Sequence, residues 1–190
     1  MNGNSYWYND IIYKPKSGEQ VQRATRTHPP IYVYSNLVKE MKRKGADNVL
    51  YSLLKKNRDS LILVQDPQQM NSGHWTSLSF HPENKKIYFF SSYGGKPDIE
   101  KNLWIPHDDL IRSGQDLNVL NDGLKTLMIR DGWEIHYNQY PYQKIGDNTA
   151  TCGIWCAAFM NSGLDPDEFH AYVKYGGYDP VSFYKLFFSF

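Results

Sequence analysis

Between the polar loop Asn148-Thr149-Ala150-Thr151 and the stop Asn161-Ser162-Gly163 runs Cys152-Gly153-Ile154-Trp155-Cys156-Ala157-Ala158-Phe159-Met160. The run has helical length and no polar side, and a helix that is apolar all round must be buried. The rest of the chain therefore has to supply layers around it. Leu37 to Asn57 carries Leu37, Val38, Met41, Val49, Leu50, Leu53 and Leu54 at helical spacing broken by Gly45, which predicts two short helices. Leu61 to Val64 is an apolar run of strand length ending at Asp66-Pro67. Trp75 to Phe80 and Lys86 to Ser92 read as an antiparallel hairpin joined by His81 to Lys85. Leu117, Leu120, Leu124, Leu127 and Met128 mark a helix over Asp116 to Asp131, stopped by Gly132. Trp133 to Tyr140 alternates like a half-buried strand and meets Pro141. Asp165-Pro166 and Asp179-Pro180 pair an N-cap with proline at the first helical position and so open two more helices. The apolar segment Phe183 to Phe190 is expected to dock as a final helix. The pattern predicts an α+β fold, a small and mainly antiparallel sheet flanked by helices, in one domain over residues 1–190.

Composition narrows the function classes. With 21 Lys+Arg against 20 Asp+Glu, the 190-residue chain has a formal net charge of +1 and no global field to hold nucleic acid or an anionic membrane. The basic stretch Lys39, Lys42, Arg43, Lys44, Lys55, Lys56 and Arg58 reads as a solvated helix face, so any DNA association is weak. Two cysteines cannot form a disulfide framework or close a zinc tetrahedron, and no metal site or cofactor is expected. No apolar run approaches the roughly 20 residues that span a bilayer, and MNGNSYWYND lacks a secretory signal pattern. These features predict an intracellular protein with reduced thiols, or one packaged in a particle assembled inside a cell.

Cys152 opens the apolar helix, where unpaired backbone N–H groups and the helix dipole favour a thiolate. Gly153 leaves room above the sulfur for a substrate carbonyl. Cys156, one turn further on, is expected to pack. A cysteine nucleophile needs a base. His74, in Ser72-Gly73-His74-Trp75 at the entry of the hairpin, is the first candidate. His136 is the second, because its strand leads towards Cys152. Pairing about a connector centred near residue 83 sets His74 opposite Ser91 or Ser92. The group that orients the imidazole is therefore expected within Phe89 to Gly94.

Gly73-His74-Trp75, then Phe90-Ser91-Ser92-Tyr93-Gly94, then a polar loop and Cys152-Gly153 form an ordered set. In that set the chain resembles the adenain-type cysteine proteases, the clan of the adenovirus maturation protease and the SUMO-specific proteases. Among them it looks most like the compact processing proteases of virophages, mavirus-like ones included, and of polinton-type elements. The resemblance covers Leu61 to Met160. It implies Cys152 as nucleophile, His74 as base, Trp75 as the aromatic wall of a substrate groove and Gly153 as the glycine after the nucleophile. The family's acidic or amide orienter falls on Ser91, whose hydroxyl can accept Nδ1–H of His74 without supplying charge; Ser92 and Asp98 remain alternatives. The family's oxyanion-hole glutamine lies six or seven residues before the cysteine. Gln143 is nine before, so a two-residue bulge in Lys144 to Asp147 would have to return it, with Gln139 and Asn148 as alternatives.

The resemblance implies cleavage of viral capsid or scaffold precursors at glycine-containing sites, in the host cytoplasm or viral factory, with packaging in the virion. The competing readings are deconjugation of a ubiquitin-like modifier and a non-enzymatic capsid or nucleic-acid-associated module.

Overall fold

The computed structural model describes residues 3–189. The chain opens with helices α1 (Gly3–Tyr13) and α2 (Gly18–Ala24), strand β1 (Ile31–Val33), and helices α3 (Tyr34–Lys44) and α4 (Ala46–Lys56). Strands β2 (Asp59–Asp66), β3 (Gln69–His81) and β4 (Lys86–Ser91) follow, then helices α5 (Lys101–Trp104), α6 (His107–Ser113) and α7 (Val119–Asp131). Strand β5 (Glu134–Tyr137) precedes helices α8 (Cys152–Ser162), α9 (Pro166–Gly176) and α10 (Pro180–Phe187).

The five strands lie in the order β1-β2-β3-β4-β5. The two long inner ladders, β2–β3 and β3–β4, are antiparallel, and the short outer pairs β1–β2 and β4–β5 are parallel. The fold is α+β with a mainly antiparallel sheet, as the patterning predicts. Both faces of the sheet are covered. Leu61, Trp75, Tyr88 and Phe90 join the core beneath α8, with Phe159, Phe169 and Phe183 from the C-terminal helices. Ile62, Val64, Leu78, Ile87 and Phe89 join a second core with Leu37, Leu50, Leu120 and Leu127. Burial on both sides explains why Leu61–Val64 and Ile87–Phe90 read as unbroken apolar runs. Period two there alternates between cores instead of between core and water.

Two helices meet at Gly45, whose φ of +89° lies in the region that favours glycine. Asp165 accepts from the backbone N–H of Asp167 and Glu168, and Asp179 from that of Ser182, each followed by proline, as expected. α10 docks through Phe183; of the apolar C-terminal segment only Phe190 lies outside the described residues, as do Met1 and Asn2 at the other end.

Among the boundaries that differ from expectation, three have a visible cause. β3 begins at Gln69, well before Trp75, because β2 continues to Asp66 and pairs Asp66 with Gln69 across a register shift. β5 ends at Tyr137, short of Tyr140, since Asn138 turns its side chain onto the backbone of Ser91. The helix after Gly114 starts at Val119, three residues later than expected, on Asn118. No helix among the described residues is long and apolar enough to cross a membrane.

Candidate active site

α8 begins at Cys152, and the sulfur sits against donors without helical partners. The backbone N–H groups of Cys152, Gly153 and Trp75 and the cationic Lys16 all favour its thiolate. Burial outweighs them and pushes the thiol above its ordinary value. This corrects the expectation that position alone activates the thiol: the same packing that aims the donors removes the water that would solvate the anion. Gly153 is also corrected. A side chain there would meet Val21 Cγ2 at 2.6 Å and Trp75 Cδ1 at 3.3 Å, so the glycine makes room for α2 and the indole, not for a substrate carbonyl. Cys156 is fully buried and donates its thiol to the carbonyl of Trp75 at 3.3 Å, a packing role.

His74 enters on β3 directly after Gly73, where a Cβ would lie 2.1 Å from the Val64 carbonyl and no other residue fits. The imidazole is 1% exposed, and burial pushes its pKa down to about 3, so the ring is neutral. Its Nε2 lies 2.9 Å from Ser91 Oγ, while Nδ1 has no hydrogen-bond partner among the described residues. The expected contact through Nδ1 is therefore corrected to Nε2. When Nε2–H donates to the serine, Nδ1 keeps a free lone pair. The register is also one residue off the expected one. Thr76 pairs with Ser91, which sets the position across from His74 at Tyr93. The Tyr93 ring stacks on the imidazole at 3.9 Å and 9°, and Ser91 is reached diagonally.

Ser91 is itself held. Asn138, fully buried, accepts from the Ser91 N–H at 3.0 Å and donates to the Ser91 carbonyl at 2.8 Å. The alternatives for the orienter go elsewhere: Ser92 Oγ donates to Gln143 Oε1 at 3.1 Å. Asp98 accepts from the Tyr34 hydroxyl at 2.6 Å and from the Asn121 N–H at 2.8 Å, committed to another part of the molecule. His136 pairs with Glu134 at 3.3 Å on the surface and does not reach Cys152.

A cavity of about 730 Å³ opens over Cys152, walled by Trp75, Tyr93, Gln143, Asn148 and the Lys16–Gly18 segment. Gln143 is buried; its Nε2 donates to the Thr149 carbonyl at 2.6 Å, and its Oε1 accepts from Ser92 and, at 3.4 Å, from the Thr151 hydroxyl. The loop between it and Cys152 doubles back through Gly146 and Asn148, both at positive φ, which brings Gln143 to the cavity despite its spacing. Gln139 is exposed and lines a different surface, so it is removed as an oxyanion donor. Asn148 stays on the wall. The structure thus brings Cys152, Trp75 and Gln143 to one cavity and joins His74 to Ser91 behind Tyr93. No hydrogen bond links His74 to Cys152 among the described residues.

Sequence reasoning missed Tyr93, Asn138 and Lys16. Tyr93 lay within the stretch expected to orient His74, but its aromatic ring was not assigned to it. Asn138 carried a signal, a polar side chain where the strand breaks before Pro141. Lys16 carried none: it gains meaning only from the docking of the N-terminal segment, where the Trp75 indole N–H donates to its carbonyl at 3.1 Å.

No family model matches the sequence. Among solved structures, the chain is similar to the SUMO protease Ulp1 with its catalytic cysteine oxidized to a sulfonic acid, at 13% identity over 76% of this chain and 61% of that one, with a TM-score of 0.36. It is likewise similar to the Ulp1-like SUMO protease catalytic domain of Chaetomium thermophilum, at 18% identity over 77% of this chain and 59% of that one, also with a TM-score of 0.36. The chain spans about three-fifths of the length of these two proteins. In sequence it is 34% identical over 157 residues to the uncharacterized protein V9 of Sputnik virophage, a match covering 82% of this chain and 79% of V9. The expectation of a virophage relative is met, and the chain belongs to the family of that virophage protein.

Proposed function

We propose that the protein is a cysteine endopeptidase that processes capsid or scaffold precursors of a virophage particle. The observation that carries this reading is a cysteine at the first turn of a buried helix, on a cavity wall, with the backbone N–H of Trp75 on its sulfur; the residue before Trp75 is His74, a neutral imidazole fixed at one nitrogen and free at the other. Kinship with a virophage protein supports the viral setting. Trp75 and the Lys16–Gly18 segment wall the cavity over the sulfur, and a glycine at the cleavage site would be the smallest residue to seat between them.

Burial favours the uncharged form of both groups, so the cycle starts from thiol and imidazole. As Sγ bonds to the scissile carbonyl carbon, the thiol proton passes to Nδ1 of His74. That bond forms with substrate in place, since catalytic contacts tighten on binding. The oxyanion is received by the Cys152 N–H and the Gln143 amide. Collapse breaks the C–N bond, and His74 returns the proton to the departing amine. Water then attacks the thioester, giving its proton to His74; the acid product leaves and the thiol is restored.

Cys152→Ala should abolish cleavage of a co-expressed capsid precursor while circular dichroism stays unchanged; undiminished processing removes Cys152 from the mechanism. Rapid turnover of a ubiquitin-like probe with a diglycine tail, with the precursor left intact, would replace this reading by deconjugation.

A further inference from the structure

The partner of His74 is a neutral serine, and among the described residues no carboxylate contacts the imidazole to stabilise the charge that develops on it. The compensating charge lies on the other side of the pair. Lys16 is 6% exposed, and its ammonium donates to the carbonyls of Asp10, Ile11 and Lys14 at the exit of α1. It lines the cavity with Cys152, and its Cβ would lie 3.4 Å from a side chain on Gly153, the residue next to the nucleophile. The Trp75 indole holds its backbone, and the Ala150 N–H, two residues before Cys152, donates to the Ile12 carbonyl at 2.7 Å. Two anchors therefore fix this cation beside the start of α8.

We infer that Lys16 is the fixed cation that stabilises the Cys152 thiolate, supplying at the nucleophile the charge that Ser91 does not supply at the base. This assignment rests on the proposed role of Cys152 as nucleophile. The interaction runs both ways: Lys16 lowers the Cys152 pKa, and Cys152 raises that of Lys16. Burial brings the lysine down to about 8, with Lys14 adding to the fall and Asp10 opposing it. The ring of Tyr184 from α10 also lies against it, 5.5 Å from Nζ. On the cysteine side, Tyr93 and Cys156 also face the sulfur, and neither is cationic.

The test reads Cys152 directly, by iodoacetamide labelling followed by peptide mass spectrometry, which separates it from Cys156. Lys16→Gln should slow labelling at pH 7.5 by about tenfold or more, the effect of losing one adjacent opposite charge, whereas Lys16→Arg should keep the wild-type rate. Equal rates in all three overturn the inference. If Lys16→Gln fails to fold, the arginine variant still decides. At pH 9.5, where the lysine has lost its proton and arginine has not, Lys16→Arg should label several-fold faster than wild type. Identical rates at pH 7.5 and 9.5 overturn the inference. Labelling does not depend on substrate, so intact labelling of Cys152 with no precursor cleavage sinks the protease reading and leaves the charge assignment standing.

Discussion

Two of the buried polar groupings in this molecule are built on opposite rules. In one, Lys101 is buried with its ammonium donating to Tyr34 Oη at 3.1 Å, the Leu117 carbonyl at 2.8 Å and Asn118 Oδ1 at 2.8 Å. Asp98 beside it has both oxygens engaged, so every strong donor and acceptor of the pair is used. In the other, His74, Ser91 and Asn138 are equally dry but carry no charge, and one ring nitrogen is left over. A saturated grouping holds the loop after β4 against α7 and can do nothing else. An unsaturated one costs stability and keeps a valence for chemistry. Asp98 is the carboxylate that proximity in sequence offered to His74, and the fold spends it on the first grouping.

The strongest way to break the contrast is Asp98→Ala, which strands a buried ammonium and should lower stability by about 3–5 kcal/mol in denaturant titrations. Asp98→Leu combined with Lys101→Met should lose less than that single change. Next comes acid. His74 binds its proton near 3 when folded and near 6.5 when unfolded, so the unfolded chain takes up protons first. Stability should drain as pH falls from 6.5 towards 3, by on the order of 4 kcal/mol, and His74→Phe should flatten that decline. Glu100, buried beside Asp98, behaves oppositely. Burial raises its carboxyl to about 8 from 4.5, so the folded state holds the proton longer and stability falls as pH rises through that interval. Glu100→Gln should raise the melting temperature at pH 8 and leave it unchanged at pH 4. The smallest effect belongs to Ser91→Ala, which should slow cleavage less than tenfold, about the worth of one neutral hydrogen bond. A loss equal to that of His74→Ala would give the serine a larger part.

Much of this was legible beforehand because it depends on local pattern. The apolar run after Cys152, the paired Asp-Pro caps and the break at Gly45 each carry their own physics within a few residues. His74 and Ser91 could be paired from hairpin geometry, though the exact register and the ring nitrogen could not. What stayed hidden depends on long-range packing. Cys152 reads as activated from its place on a helix, and only the weight of the surrounding core reverses the sign. Gly153 reads as space for substrate until Val21 arrives from another helix. Asn138 reads as part of a strand until β5 stops at Tyr137, three residues early, and its side chain turns onto Ser91. Lys16 has no local signature at all.

The hydrogen bond from Ala150 to Ile12 joins residues 138 positions apart in the chain. Lys16, under the ring of Tyr184, ties the same N-terminal segment to the last helix. The cavity wall is thus closed by an early part of the polypeptide meeting a late one, and such distant contacts form slowly because the intervening loop must close first. During synthesis the pocket over the sulfur therefore stays incomplete until the segment from Asn148 to Cys152 has emerged and can meet the N-terminal one.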